Sequence, residues 1–319
     1  MSTDALPMVV PAPNLPRRVR IHEVGARDGL QNEKTAVPTE VKAEFVRRLA
    51  GAGLTTIEAT SFVHPKWVPQ LADAEQLFPL VSDLPGVALP VLVPNRRGLD
   101  RALALGARRI AVFASATESF AKANLNRTLD ESLAVFEPVV RHAKDEGVHV
   151  RGYVSMCFGD PWEGAVPLTQ VARVCTALRD MGCDELSLGD TIGVATPGHV
   201  RALLSLLDGE GVPVDAIGVH FHDTYGQALA NTLAALESGV STVDASAGGL
   251  GGCPYARSAT GNLATEDLVW MLHGLGIETG VDLGRLTATS VWMAEQLGRP
   301  SPSRTVRALG KPTQPHEDQ

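Results

Sequence analysis

Two histidines stand at alternate positions in "GVHFHDTYGQALAN", residues 218–231, with an aspartate directly after the second. In an extended strand, alternate residues point to the same side, about 6.6 Å apart along the chain, so His220 and His222 can present both imidazoles to one cation. The alternative is structural: one ring packs in the core and the other caps a loop. Oxygen donors elsewhere favour the cation. Asp28, at a strand end in "VGARDGLQNEK", and Asn262, a loop residue in "SATGNLATED", supply them. Two imidazoles with carboxylate and amide oxygen form a set suited to Mg²⁺ or Mn²⁺ better than to the sulfur-rich or closed sites of structural zinc. Asp223 faces away from the side of His222 and reads as a supporting group or a helix cap.

Further chemistry clusters near these residues. Arg27 precedes Asp28, and its guanidinium can stabilise negative charge developing on a carbonyl or enolate oxygen. Glu58, in the apolar run "TTIEAT", needs a cationic partner if buried, and Arg27 is the simplest one. Asp190 ends "SLGD" and reads as a supporting carboxylate. The loop "AGGLGGCPYARSATGN" has glycines at four of five successive positions and then Cys253. No Lys-Ser/Thr follows to make a phosphate cradle, so the loop reads as a mobile lid. Cys253 is its candidate acid or nucleophile, whereas Cys157, Cys175 and Cys183 read as small buried hydrophobes.

The elements that must position these groups alternate. Eight β-rich runs ("RVRIHEVG", "LTTIEATSF", "ALPVLVPN", "RRIAVFAS", "VHVRGYVS", "CDELSLGD", "AIGVHFHD", "VSTVDASAG") are separated by helical patterns such as "EVKAEFVRRLAGAG" and "LTQVARVCTALRDMG". This rhythm predicts a (β/α)₈ TIM barrel over residues 19–283, with the polar residues at the strand ends where barrels do chemistry. A doubly wound sheet competes, but no G-x-G-x-x-G follows the first strand. Residues 1–18 read as a flexible arm. Residues 284–319 read as a short C-terminal helical extension followed by a loose polar tail.

Composition limits the partners. The 319 residues carry a formal net charge of −8, with 44% hydrophobic and 20% charged residues. No basic run alternates with aromatics, so no nucleic-acid partner is expected. No apolar run reaches the ~18 residues that a membrane span needs. The four cysteines have no C-x-x-C spacing, which fits a reducing compartment.

Taken together, "VGARDGLQNEK", "GLTTIEATSFVHPKWVPQLADAE", "SLGDTIGVATPG", "HFHDTYGQALANTL", "GLGGCPYA" and "GNLATEDLVWMLHGLGIETGV" resemble the 3-hydroxy-3-methylglutaryl-CoA lyases. The resemblance covers about residues 19–283. It implies cleavage of that acyl-CoA to acetyl-CoA and acetoacetate, with Asp28, His220, His222 and Asn262 on the metal, Arg27 on the substrate carbonyl and Cys253 as the catalytic cysteine. The cation would acidify the tertiary alcohol and fix its geometry. Asp28, His220 or a water would accept the hydroxyl proton. Gln31 and Lys34 would approach the substrate carboxylate or CoA, and Glu58 and Asp190 would support. The resemblance further implies a homodimer, with leucine breakdown, ketone-body formation and isoprenoid salvage all open as its pathway, and no targeting signal is evident, so a cytoplasmic enzyme is expected. Departures are "SMCFGDPWEG" and Phe221 between the histidines, where animal members have cysteine-containing stretches. Alternatives within reach of the same residues are a lyase for a longer 3-hydroxy-3-alkylglutaryl-CoA, an acyl-CoA condensing enzyme, and an inactive CoA- and metal-binding homologue.

Overall fold

The computed structural model describes residues 6–252 and 261–310. Eight parallel strands form one sheet: β1 (Arg20–Glu23), β2 (Thr60–Ser61), β3 (Val91–Leu92), β4 (Arg109–Ser115), β5 (His149–Ser155), β6 (Glu185–Asp190), β7 (Ile217–Phe221) and β8 (Thr242–Ala245). β1 pairs with β8, and the order then descends through β7 to β2. Glu23 N–H donates to the Thr56 carbonyl and Glu58 N–H to the Glu23 carbonyl, so the segment ahead of β2 joins β1 and closes the barrel. Glu58 therefore lies on the closing seam, just before β2.

Helices cover the outside: α1 (Thr39–Gly51), α2 (Ala74–Val81), α3 (Arg96–Ala104), α4 (Glu118–Leu125), α5 (Leu129–Asp145), α6 (Leu168–Met181), α7 (Pro197–Gly209), α8 (Ala228–Glu237) and α9 (Thr265–Gly274). Beyond the barrel come α10 (Leu283–Leu297) and α11 (Arg304–Leu309). The outward strand residues Ile110, Val112, Val150, Leu186, Leu188, Val219 and Val243 are buried against these helices. Branched side chains suit that face because both sides of a parallel barrel sheet are covered. The eight runs expected as strands all carry one. Of the expected tail, the described residues up to 310 include α11, which buries Thr305 and Val306 and is capped by Ser303 through the Val306 N–H. The arm is held as well, by the Val10 N–H on the Gly274 carbonyl and the Glu278 N–H on the Arg17 carbonyl.

The inner face departs from the usual apolar filling. Arg151 on β5 donates to Glu185 (2.6 Å), to Asp244 (2.5 Å) and to His22 Nδ1 (2.8 Å). Arg20 donates to the other oxygen of Glu185 (2.5 Å), and Ser187 Oγ donates to Asp244 (2.8 Å). Gly218 makes room for this cluster, since a Cβ there would come within 2.8 Å of the Arg151 guanidinium. A polar column thus fills the barrel below its rim.

Candidate metal centre and active site

β1 leads into one turn of π-helix, Gly25–Gly29, closed by the Gly29 N–H on the Val24 carbonyl. Such turns are uncommon and recur at functional sites. This one places Arg27 and Asp28 side by side over the barrel mouth. Arg27 is buried; its Nη1 donates to Asp28 Oδ1 (2.8 Å) and its Nη2 to Glu58 Oε2 (2.9 Å). Burial opposes the guanidinium charge, but Glu58 and Asp28 outweigh it and hold the group firmly protonated. Tyr153 on β5 donates to the same Glu58 oxygen (2.8 Å), and its ring lies 5.6 Å from the Arg27 guanidinium carbon.

The potential ligand atoms of Asp28, His220 and His222 all lie within 4.8 Å of one another. The imidazole centroids of the pair are 5.3 Å apart. Burial works against the Asp28 carboxylate, but Arg27 and the two histidines lower its pKa overall, so it is anionic at neutral pH. Burial and His220 depress His222 to about 4, leaving a neutral ring with a free lone pair. His220 is only partly buried, and although desolvation opposes its charged form, Asp244 and Asp28 raise its pKa. Asp244 Oδ2 lies 3.3 Å from His220 Nδ1. Burial works against Asp244 too, but Arg151 holds it ionised, so His220 Nδ1 donates to it and Nε2 faces the cluster.

Asn262 reaches the cluster from the strand-like segment after β8. Its Nδ2 donates to Asp28 Oδ2 (2.8 Å) and to the Leu250 carbonyl (3.0 Å). Both its Oδ1 and His222 Nδ1 are buried without a hydrogen-bond partner. Buried polar atoms rarely stay unpaired. An oxygen and an imidazole nitrogen left this way beside an anionic carboxylate fit a divalent cation, and no thiolate among the described residues joins them.

The other expected residues divide. Gln31 lines the cavity above the cluster; Lys34 is exposed and lies outside its lining. Asp190 turns away from the cluster, its oxygens accepting the Val194 and Ala195 N–H groups (2.9 and 3.0 Å), and burial raises its pKa to about 6. Asp223 accepts the Ala228 N–H at the start of α8 (3.0 Å) and pairs with Arg304 (2.8 Å), which makes it a cap and not a ligand. Cys253 lies outside the described residues. Cys157, Cys175 and Cys183 are buried with thiols pushed up by burial, the last two to about 12.

The glycine-rich turn is fixed at its start. Glu266 accepts the Gly248 N–H (2.9 Å), and Ser301 donates to the Gly248 carbonyl (2.9 Å), so Ala247–Gly249 is anchored and not a free hinge. Gly248 and Gly249 adopt φ of 67° and 69°, which glycine accepts without strain. Sequence reasoning missed Asp244, Tyr153, His22, Arg151, Glu23 and Glu266. Arg151 and Tyr153 share the strand parity that singled out the histidines, which was the available signal.

The cavity over this cluster measures about 700 Å³ and extends from Arg27, Asp28, His220 and His222 past Tyr153 to Phe113 and Phe120. A closed (β/α)₈ barrel with such a ligand set beside a buried arginine at its strand ends is the architecture of a metal-dependent barrel enzyme.

A family model described as HMGL-like matches residues 18–292. The mitochondrial hydroxymethylglutaryl-CoA lyase of Arabidopsis thaliana is 54% identical over 93% of the chain and 63% of its own length. The Bos taurus enzyme of the same name is 53% identical over 93% of the chain and 91% of its length. The crystal structure of the Bacillus subtilis HMG-CoA lyase superposes with a TM-score of 0.91 at 45% identity, covering 95% of this chain and 100% of that one. An Acinetobacter baumannii HMG-CoA lyase in complex with coenzyme A and 3-methylmalate matches at a TM-score of 0.88 and 35% identity, over 96% and 99% of the two chains. The chain belongs to the HMGL-like family.

Proposed function

We propose that the protein cleaves 3-hydroxy-3-methylglutaryl-CoA to acetyl-CoA and acetoacetate. The carrying observation is the ligand cluster, with His222 Nδ1 and Asn262 Oδ1 buried and unpartnered beside Asp28. Asp28, His220, His222 and Asn262 would hold Mg²⁺ or Mn²⁺. A cation held there would acidify the tertiary hydroxyl and fix its orientation. Arg27, held by Glu58 and Asp28, stands where it can stabilise the thioester enolate oxygen left by C–C scission. Cys253 would return a proton to the carbanion carbon; it follows Gly252, whose carbonyl accepts the Asn32 side chain (2.9 Å) at the cavity edge. Gln31 would contact the substrate from the cavity wall, while Lys34 would meet only the exposed CoA end.

The acyl-CoA assignment draws support from the names of the relatives and from the coenzyme A in the Acinetobacter complex. A homodimer, a cytoplasmic location and a role in leucine breakdown or ketone-body formation rest on the family resemblance. The test is a product assay with Mg²⁺ or Mn²⁺ on 3-hydroxy-3-methylglutaryl-CoA and on its longer 3-alkyl analogues. Equal amounts of acetyl-CoA and acetoacetate, with no turnover after chelation, are expected. A higher kcat/KM for a longer analogue would replace the substrate, and full activity after exhaustive chelation would remove the metal.

A further inference from the structure

Residues 299–305, from the connection after α10 into the first turn of α11, touch each of the loops that carry the metal-site side chains. Arg299 forms a two-pronged ion pair with Glu33, in the loop that follows Asp28 from β1. Ser301 Oγ donates to the Gly248 carbonyl in the turn after β8, and this bond is buried. Pro302 packs on Gly249 so closely that a Cβ there would meet its ring at 3.2 Å. The next residue, Leu250, accepts the Asn262 amide, which in turn donates to Asp28. Arg304 Nη1 reaches Asp223, adjacent to His222. The segment is itself fixed from below: Asp267 on α9 accepts Ser303 Oγ (2.9 Å) and the Thr305 N–H (2.7 Å).

We infer that residues 299–305 act as a brace that positions Asp28 and Asn262 for the cation, with Ser301 and Arg299 as positioning residues. This rests on the metal reading above. The contacts are unequal. The Arg304 pair sits on the surface, its guanidinium side chain 67% exposed, and contributes little. The Ser301 bond is buried, and Glu33 is largely shielded. These two act on opposite sides of the Asp28–Asn262 bond. Removing both leaves the β1 loop and the β8 turn held to each other only by the Asn32–Gly252, Glu23–Ala247 and Asn262 contacts, which loosens their registration, and ligands displaced by even a fraction of an ångström bind more weakly.

The experiment measures Mn²⁺ affinity of the full chain by isothermal titration calorimetry and by electron paramagnetic resonance of bound Mn²⁺. The proteins are the wild type, Ser301→Ala, the pair Ser301→Ala with Arg299→Ala, the conservative Ser301→Thr, and Arg201→Ala on the far surface as control. Circular dichroism establishes that each is folded. The double variant is expected to bind Mn²⁺ about 10-fold more weakly, and Ser301→Ala to lie between it and the wild type. Ser301→Thr and Arg201→Ala should bind as the wild type does, and saturating Mn²⁺ should restore most of the double variant's turnover. If the double variant does not fold, Ser301→Ala against Ser301→Thr decides. Wild-type affinity in the folded double variant, or in Ser301→Ala where only that folds, overturns the brace alone. A wild type that takes up no Mn²⁺ overturns the metal reading and the brace with it.

Discussion

His220 has a carboxylate behind it, and that carboxylate has an arginine behind it. Asp244 accepts a hydrogen bond from the Nδ1–H, and Arg151 keeps Asp244 ionised from the interior side. The pair fixes both the tautomer and the orientation of the ring that faces Asp28. Asp244→Asn preserves size but loses the charge, and its amide can turn an N–H towards Nδ1, which then favours the wrong tautomer. Mn²⁺ affinity should fall by roughly 10- to 100-fold, measured by calorimetry, with the far-ultraviolet spectrum unchanged; unchanged affinity would remove Asp244 from the metal site. The histidines were legible because two imidazoles of one parity are rare inside a barrel strand. Asp244 was not, because a single aspartate in "VSTVDASAG" is locally indistinguishable from a solvated strand end. Its meaning comes from the register that sets β8 beside β7, pairing His220 with Asp244.

At the level of elements, α9 and α10 meet the β8 turn through one carboxyl. Glu266 on α9 accepts the Gly248 N–H and pairs with Ser290 Oγ on α10. Burial raises its pKa from the ordinary glutamate range to about 8 despite these hydrogen bonds. Glu23, at the end of β1, is likewise raised by burial to about 7, although Thr265, Ala247 and Gly25 donate to it. In each case the folded state keeps a proton that the unfolded chain has already released. Such a group contributes stability that is complete below its unfolded pKa and is lost as pH rises through its folded value. Glu23 is half ionised at pH 7 and almost fully so by pH 8, so across that interval Glu266 supplies the larger share of a downward slope to which a single group contributes at most ~1.4 kcal/mol per pH unit. Glu266→Gln should flatten the dependence of urea-unfolding free energy in that interval and cut the fall below pH 7 to the share that Glu23 supplies. An unchanged slope would show Glu266 to be ionised in the folded protein. The barrel elements themselves were legible from periodicity, since each strand run carries branched residues and most helices have one apolar face. The anchoring of Ala247–Gly249 and the order of residues 299–310 were not. Their composition is that of a loop, and their order comes from Glu266, Ser301 and Asp267, residues distant in sequence or locally unremarkable.

The molecule as a whole is a barrel whose axis carries ions. Arg20, Glu185, Arg151, Asp244 and His22 form one hydrogen-bonded column, and Tyr153 joins it to Glu58 and Arg27 at the rim. An ionic interior need not make the fold more stable than an apolar one, but breaking it from one side is costly, because the remaining charges stay buried. Arg151→Met fills similar volume and leaves Asp244 without its cation and Glu185 with Arg20 alone. The expected loss is about 3–5 kcal/mol, seen as a drop in Tm on the order of 10 °C. The metal adds a second readout. Saturation at about 100 times Kd stabilises a folded protein by about 2.7 kcal/mol. With Asp244 no longer held, His220 is less well fixed, so at the same Mn²⁺ concentration the variant should gain less than the wild type. Scanning calorimetry of both proteins with chelator and with Mn²⁺ measures the two effects together. A large drop in Tm with an undiminished metal increment would confine the column to holding up the barrel, whereas a reduced increment would show that the same ions that fill the axis also set the geometry at its mouth.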